Sequence, residues 1–159
     1  MNDSTPVTRA LDALKIPYRV FRHAALVNTL EQAAEERGQT PDQLVRSIVF
    51  RISKGEFVMV LIAGARQVAW PALRRKLGKS RLTMASEDEV LAATGYKRYT
   101  VSPLGLTSAM RILIDESVLA QKEISIGSGE RGLAVILSTK SLRKALSDAE
   151  VDIGNFAAT

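Results

Sequence analysis

The sequence predicts a mixed α/β (α+β) fold, a mixed β-sheet surrounded by helices, on three observations. Helical stretches with recognisable caps alternate with short β-branched runs along the chain. Two of those runs, residues 50–53 and 56–62, are separated only by Lys54 and Gly55, a hairpin signal that makes the pair antiparallel. The other connections are short, whereas an all-parallel sheet needs a long crossover between strands.

Taken in order, Thr5 and Pro6 open a first helix whose apolar positions Val7, Ala10, Leu11 and Leu14 follow helical spacing, and Pro17 closes it. A short strand over residues 18–21 follows. Thr29 and Gln32 have capping-box spacing for a helix that stops at Gly38. Thr40 and Pro41 start a short helix that runs into a strand, since residues 45–52 are β-branched and apolar except at Arg46, Ser47 and Arg51. Trp70 and Pro71 begin a helix ending at Gly78. Ser86 with Glu89 begins another, with Val90 and Leu91 on its buried side and Gly95 as its stop. Residues 96–105 read as a loop around Ser102 and Pro103. Strands are expected at 111–114, 123–126 and 133–137, and a last helix at 140–146. No repeat, low-complexity run or linker divides residues 1–159, so one domain is expected, large enough to bury a core without metal or disulfide support.

Composition excludes several functions. No apolar run reaches the roughly 20 residues of a membrane span, and the first residues lack a basic segment followed by an apolar core, so a cytoplasmic protein is expected. The absence of cysteine removes disulfides, thiolate ligands and cysteine nucleophiles. With His23 as the sole histidine, a zinc site would have to be built almost wholly from carboxylates, which rules out zinc chemistry. A net charge of +5 favours a polyanionic partner. Basic side chains group at Arg74, Arg75, Lys76, Lys79 and Arg81, at Lys97 and Arg98, and at Lys140, Arg143 and Lys144. One such group suits a solvated helix face; three on a small domain point to phosphate contact.

Arg46 stands where the short helix meets the strand. Either its stem packs along the sheet rim with the guanidinium in water, or it points into a pocket and holds an anionic or carbonyl group. Residues 127–132, GSGERG, match G-x-G-x-x-G, with Glu150 about 20 residues on. A dinucleotide site needs a helix to open at the third glycine, and here an apolar strand follows, so the glycines serve a tight turn or the close approach of bare backbone to a ligand. His23 has no nucleophile elbow to serve and reads as a structural or rim residue. Glu87, Asp88 and Glu89 are first-turn carboxylates that complement a helix dipole, and Asp115 and Glu116 are placed to cap the turn after a strand.

Four stretches, TPDQLVRSIVF, TGYKRYTVSPLG, RILIDES and GSGERGLAVIL, resemble in order and spacing the YbaK-like domains, which include free-standing and prolyl-tRNA synthetase associated editing domains. The resemblance runs from about Tyr18 to Leu146. It implies a mixed, partly barrel-like sheet with surrounding helices, and a pocket where the segment around position 46, the loop before Pro103 and the glycine loop converge. It also implies an activity, hydrolysis of the ester joining a wrong amino acid to the 3′ end of tRNA, with no cofactor required. The catalytic positions would be Arg46, Ser102 and Gly127. The substrate would lie against Phe21, Thr29, Ser47, Tyr99, Thr100, Val101, Pro103, Ser128 and Gly129. Arg74, Arg75, Lys76, Lys79, Lys97 and Arg98 would face the tRNA.

Three positions depart from the family. Arg46 replaces its usual lysine, Tyr99 its glycine four residues before the proline, and Ala134 an acidic residue carried by many members; Ser102, Pro103, Gly105, Gly127, Gly129 and Gly132 fit the pattern. A desolvated lysine can lose its proton, but a guanidinium stays charged, so Arg46 orients and stabilises and does not act as a base. Water could instead be activated by a substrate hydroxyl. Tyr99 narrows the pocket, and so favours a small or altered aminoacyl group, unless its ring turns outward.

The first expectation is therefore a trans-acting aminoacyl-tRNA deacylase in which backbone amides of the Ser102 and Gly127 loops hold the oxyanion. Its main rival is a non-catalytic module that holds tRNA, an aminoacylated end or a synthetase. A third reading is a hydrolase of small esters or amides.

Overall fold

The computed structural model describes residues 3–158, in two sheets with helices around them. The first sheet has the order β1(Arg19–Arg22), β7(Leu133–Ser138), β6(Glu123–Gly127), all antiparallel. The second has the order β4(Thr83–Met84), β2(Val45–Ser53), β3(Glu56–Ala63), β5(Arg111–Asp115), β8(Val151–Gly154). It is mixed as expected: β2 pairs antiparallel with β3 and β4, while β3–β5 and β5–β8 are parallel. The mixed, partly barrel-like sheet of the sequence reading takes the form of two sheets. The two sheets meet at an isolated bridge between Leu44 and Ser125 and do not close a barrel.

The expected helix caps are present. Thr5 and Ser86 form capping boxes for α1(Pro6–Ala13) and α4(Glu87–Thr94), and Thr29 accepts the Gln32 N–H at the start of α2(Leu30–Arg37). Gly38, Gly78 and Gly95 end α2, α3(Trp70–Leu77) and α4 in left-handed conformation. After β5, Asp115 caps the short α5(Glu116–Leu119), and α6(Thr139–Ala145) follows β7. The helix expected at Thr40 is a single 3-10 turn, Pro41–Gln43, because the β-branched run takes over at Val45. Leu91, expected on the buried side of its helix, is exposed, as is Leu14, the last of the apolar positions spaced for α1.

Strand alternation divides the core. Val45 and Val49 of β2 join Met59, Leu61, Ile112 and Ile114 in the large core between the sheets, where β6 and β7 contribute Ile126 and Val135. Phe50, Val58, Val60 and Leu113 face the other way and pack against Leu73 of α3. Among the described residues no helix is long and apolar enough to cross a membrane.

Candidate active site

Beyond the two residues that β4 pairs, Phe50 and Arg51, β2 has a free edge. Val49 C=O accepts the Ala85 N–H on that edge, so by two-residue alternation Ser47 turns its own main-chain N–H and C=O the same way. The edge opens on a cavity of about 520 Å³ that reaches across to β6, β7 and the turn between them. Apolar walls come from Val45, Val49, Val90, Ile126 and Leu133, among others, and a few polar groups converge on them.

Arg46 lines this cavity, half-buried. Its Nε donates to Gly64 O at 2.7 Å and its Nη2 to Arg66 O, both in the loop after β3, and Nη1 has no partner among the described residues. The guanidinium is thus neither loose in water nor wholly committed to a ligand: two carbonyls fix its plane. Burial holds its pKa below the ordinary arginine value, without threatening the charge. Next in β2, and by alternation on the strand's other face, Ser47 Oγ is buried without a hydrogen-bond partner among the described residues. A buried hydroxyl left unpaired on a cavity wall is costly unless a ligand or water completes it.

Another wall carries a relay that the sequence reading missed. Arg37, the last residue of α2, donates from Nη1 to Ser125 Oγ at 2.9 Å and from Nε to His23 Nε2 at 3.0 Å, leaving Nη2 without a partner among the described residues. A guanidinium only donates, so His23 Nε2 accepts, and the imidazole proton sits on Nδ1, 2.8 Å from Glu36 Oε1. That hydrogen bond lowers the Glu36 pKa, and burial lowers that of Arg37. His23, Arg37 and Ser125 all line the cavity. No local motif announces the relay, because Arg37 and Ser125 are 88 residues apart.

The structure brings Arg46, Ser47, Arg98, Tyr99, Thr100, Val101, Gly127 and Ser128 to the cavity. It does not bring Phe21, Thr29, Ser102, Pro103 or Gly129 to its lining. Phe21 touches the site through His23, ring centroids 4.9 Å apart, and Thr29 is occupied as the α2 cap. Ser102 is fully buried and its Oγ accepts the Leu104 N–H, while the Gly129 N–H is taken by Thr100 O. Ser128 faces the cavity, but its hydroxyl bonds within its own turn, to Leu133 O at 2.6 Å. Tyr99 turns outward, so it does not narrow the cavity. Ala134, in place of an acidic residue, is buried on the cavity wall.

Lys97 and Arg98 are exposed beside the mouth. Arg74, Arg75 and Lys79 lie elsewhere, lining a shallow groove at the end of α3, and Lys76 pairs with Asp152. Among the described residues no three His, Asp or Glu side chains gather as a metal site would need.

The sequence model of the aminoacyl-tRNA editing domain covers residues 24–145, and the chain belongs to that family. It is 26% identical to the prolyl-tRNA editing protein ProX of Acetoanaerobium sticklandii, over 91% of this chain and 90% of that one. It is 30% identical to the proline–tRNA ligase of Trichlorobacter lovleyi over 68% of this chain, which spans only 19% of the ligase. A solved structure described as a candidate trans-editing enzyme for prolyl tRNA synthetase superposes with a TM-score of 0.85, over 97% of this chain and 96% of that one, at 24% identity.

Proposed function

We propose that the protein is a trans-acting aminoacyl-tRNA deacylase that hydrolyses the ester joining a mischarged amino acid to the 3′ end of tRNA. The observation that carries this reading is the strand edge at Arg46 and Ser47, where an anchored cation with an unused Nη1 and a buried, unpartnered hydroxyl meet one cavity. Family membership supports it, and the match along 90% of ProX favours action in trans.

Arg46 orients the ester carbonyl and, with Ser47, receives the charge that develops on its oxygen. Water adds to the carbonyl carbon, the bond to the ribose oxygen breaks, and the water's proton passes through a ribose hydroxyl to the departing oxygen. Thr100 and Val101, just before Ser102, and the loop at Gly127 line the cavity. Lys97 and Arg98 at the mouth, and Arg74 and Arg75 further off, meet tRNA phosphates. The partners are the tRNA acceptor end and, through the charged tRNA, an aminoacyl-tRNA synthetase.

A panel of mischarged tRNAs tests this reading. Arg46→Ala is expected to abolish amino-acid release, and Arg46→Lys to keep it. Equal turnover by wild type and Arg46→Ala overturns the assignment. Tight, salt-sensitive binding of charged tRNA without turnover identifies a binding module instead, and turnover of esters lacking RNA identifies a small-molecule hydrolase.

A further inference from the structure

Two tyrosines three residues apart, Tyr96 in the core and Tyr99 on the cavity lining, are treated in opposite ways. Tyr96 is buried, 3% exposed, whereas Tyr99 is 81% exposed. Tyr99 also has φ +73°, a left-handed conformation that costs a side-chain-bearing residue about 1 kcal/mol or more. The strain is held in place. Thr100 N–H and Oγ both donate to Lys97 O, at 3.0 and 2.7 Å, and Thr100 O accepts the Gly129 N–H, so the turn is closed on itself and tied to the glycine loop. Arg98 Cζ lies 5.7 Å from the Tyr99 ring centroid. An aromatic ring has thus been placed in water, on a strained and braced turn, with a guanidinium beside it.

We propose that Tyr99 is a stacking platform for an unpaired nucleobase of the tRNA acceptor end. The inference rests on the deacylase reading for the identity of the RNA. An exposed π-face with cations beside it is how proteins hold single-stranded nucleic acid without reading its sequence, because every base has a π-face and every phosphate a charge. The ring stands in solvent at the edge of the cavity, so it meets the nucleotides that trail the aminoacyl group, and it sets the depth to which the ester enters.

The test compares binding of two uncharged RNAs, an acceptor-stem minihelix with its unpaired 3′ tail and the same minihelix with the tail removed. Tyr99→Gly removes the ring while relieving the backbone strain, so its melting temperature is expected to match or exceed wild type. It should bind the tailed RNA about tenfold more weakly and the blunt RNA as wild type does. Tyr99→Trp should restore the tailed binding. The dependence of log K on log salt should stay the same in Tyr99→Gly but fall by about one unit in Lys97→Ala, which separates stacking from phosphate contact. Equal loss on both RNAs, no loss on either, or no binding of the tailed RNA by wild type overturns the platform. Tail-dependent binding through Tyr99 without turnover on any aminoacyl-tRNA upholds the platform and removes the deacylase reading.

Discussion

The cavity wall formed by residues 98–101 and the 127–132 loop is main chain packed on main chain, whereas the wall formed by α2, the end of β1 and the middle of β6 is made of side chains. In the first, a Cβ on Gly127 would stand 2.3 Å from Val101 O, and one on Gly129 would stand 2.7 Å from the Tyr96 ring. In the second, Glu36, His23, Arg37 and Ser125 from three segments join in one hydrogen-bonded line. The first wall is set by what is left out of the sequence. The second is set by what the fold brings together. Changes at the glycines of the first should therefore appear as stability, and changes in the second as function.

The largest effect is expected at Gly127→Ala. The atom opposing the new methyl is a backbone carbonyl that cannot swing aside, so β6 and the 97–105 loop must separate. Overpacking of this kind costs about 1–3 kcal/mol, seen as a fall of several degrees in Tm. A Gly127→Ala protein that melts with wild type would erase the distinction between the walls.

Next comes Arg37→Met, of similar length and without charge. Losing the guanidinium unpairs His23 Nε2 and Ser125 Oγ but also removes a cation that burial disfavours, so the two effects offset and Tm should move little. Deacylation, read by single turnover, should fall by about tenfold or more, because the free Nη2 is lost from the cavity. A large drop in Tm with unchanged turnover of the folded fraction would make Arg37 a structural residue, and the second wall no different in kind from the first.

The same contrast explains what the sequence disclosed. Caps at Thr5, Thr29 and Ser86, the Lys54 and Gly55 turn, and the glycine loop are local, so residue type and spacing carried them. β4 and β8 escaped because each is a short edge strand defined by its partner: Thr83 and Met84 become a strand only against β2, and residues 151–154 only against β5. The division into two sheets escaped for the same reason. Within the site, position 46 and the exposed turn at Tyr99 were visible as departures from a family pattern. Ser102, expected at the catalytic loop, lies buried with its Oγ accepting the Leu104 N–H, and the relay through Arg37 had no signal of its own, since nothing in a chain reports which distant hydroxyl a helix-end arginine will meet.

Tyr96 is where the main-chain wall does depend on a side chain, and it gives the smallest expected effect. Its ring lies against Gly129 and its hydroxyl donates to the buried Leu104 carbonyl. Tyr96→Phe leaves that carbonyl unpaired and should cost about 1–2 kcal/mol at neutral pH. Burial raises the Tyr96 pKa from 10.0 to about 12. Below pH 10 the phenol is protonated in both folded and unfolded chains, and the stabilisation is fully present. Between pH 10 and about 12 the unfolded chain gives up the proton while the folded chain keeps it, so stability falls as pH rises. The phenylalanine variant has no such proton to lose. Denaturation midpoints of the two proteins should therefore converge across that range, and curves that stay parallel would show that the ring under the glycine loop is not held by its hydroxyl.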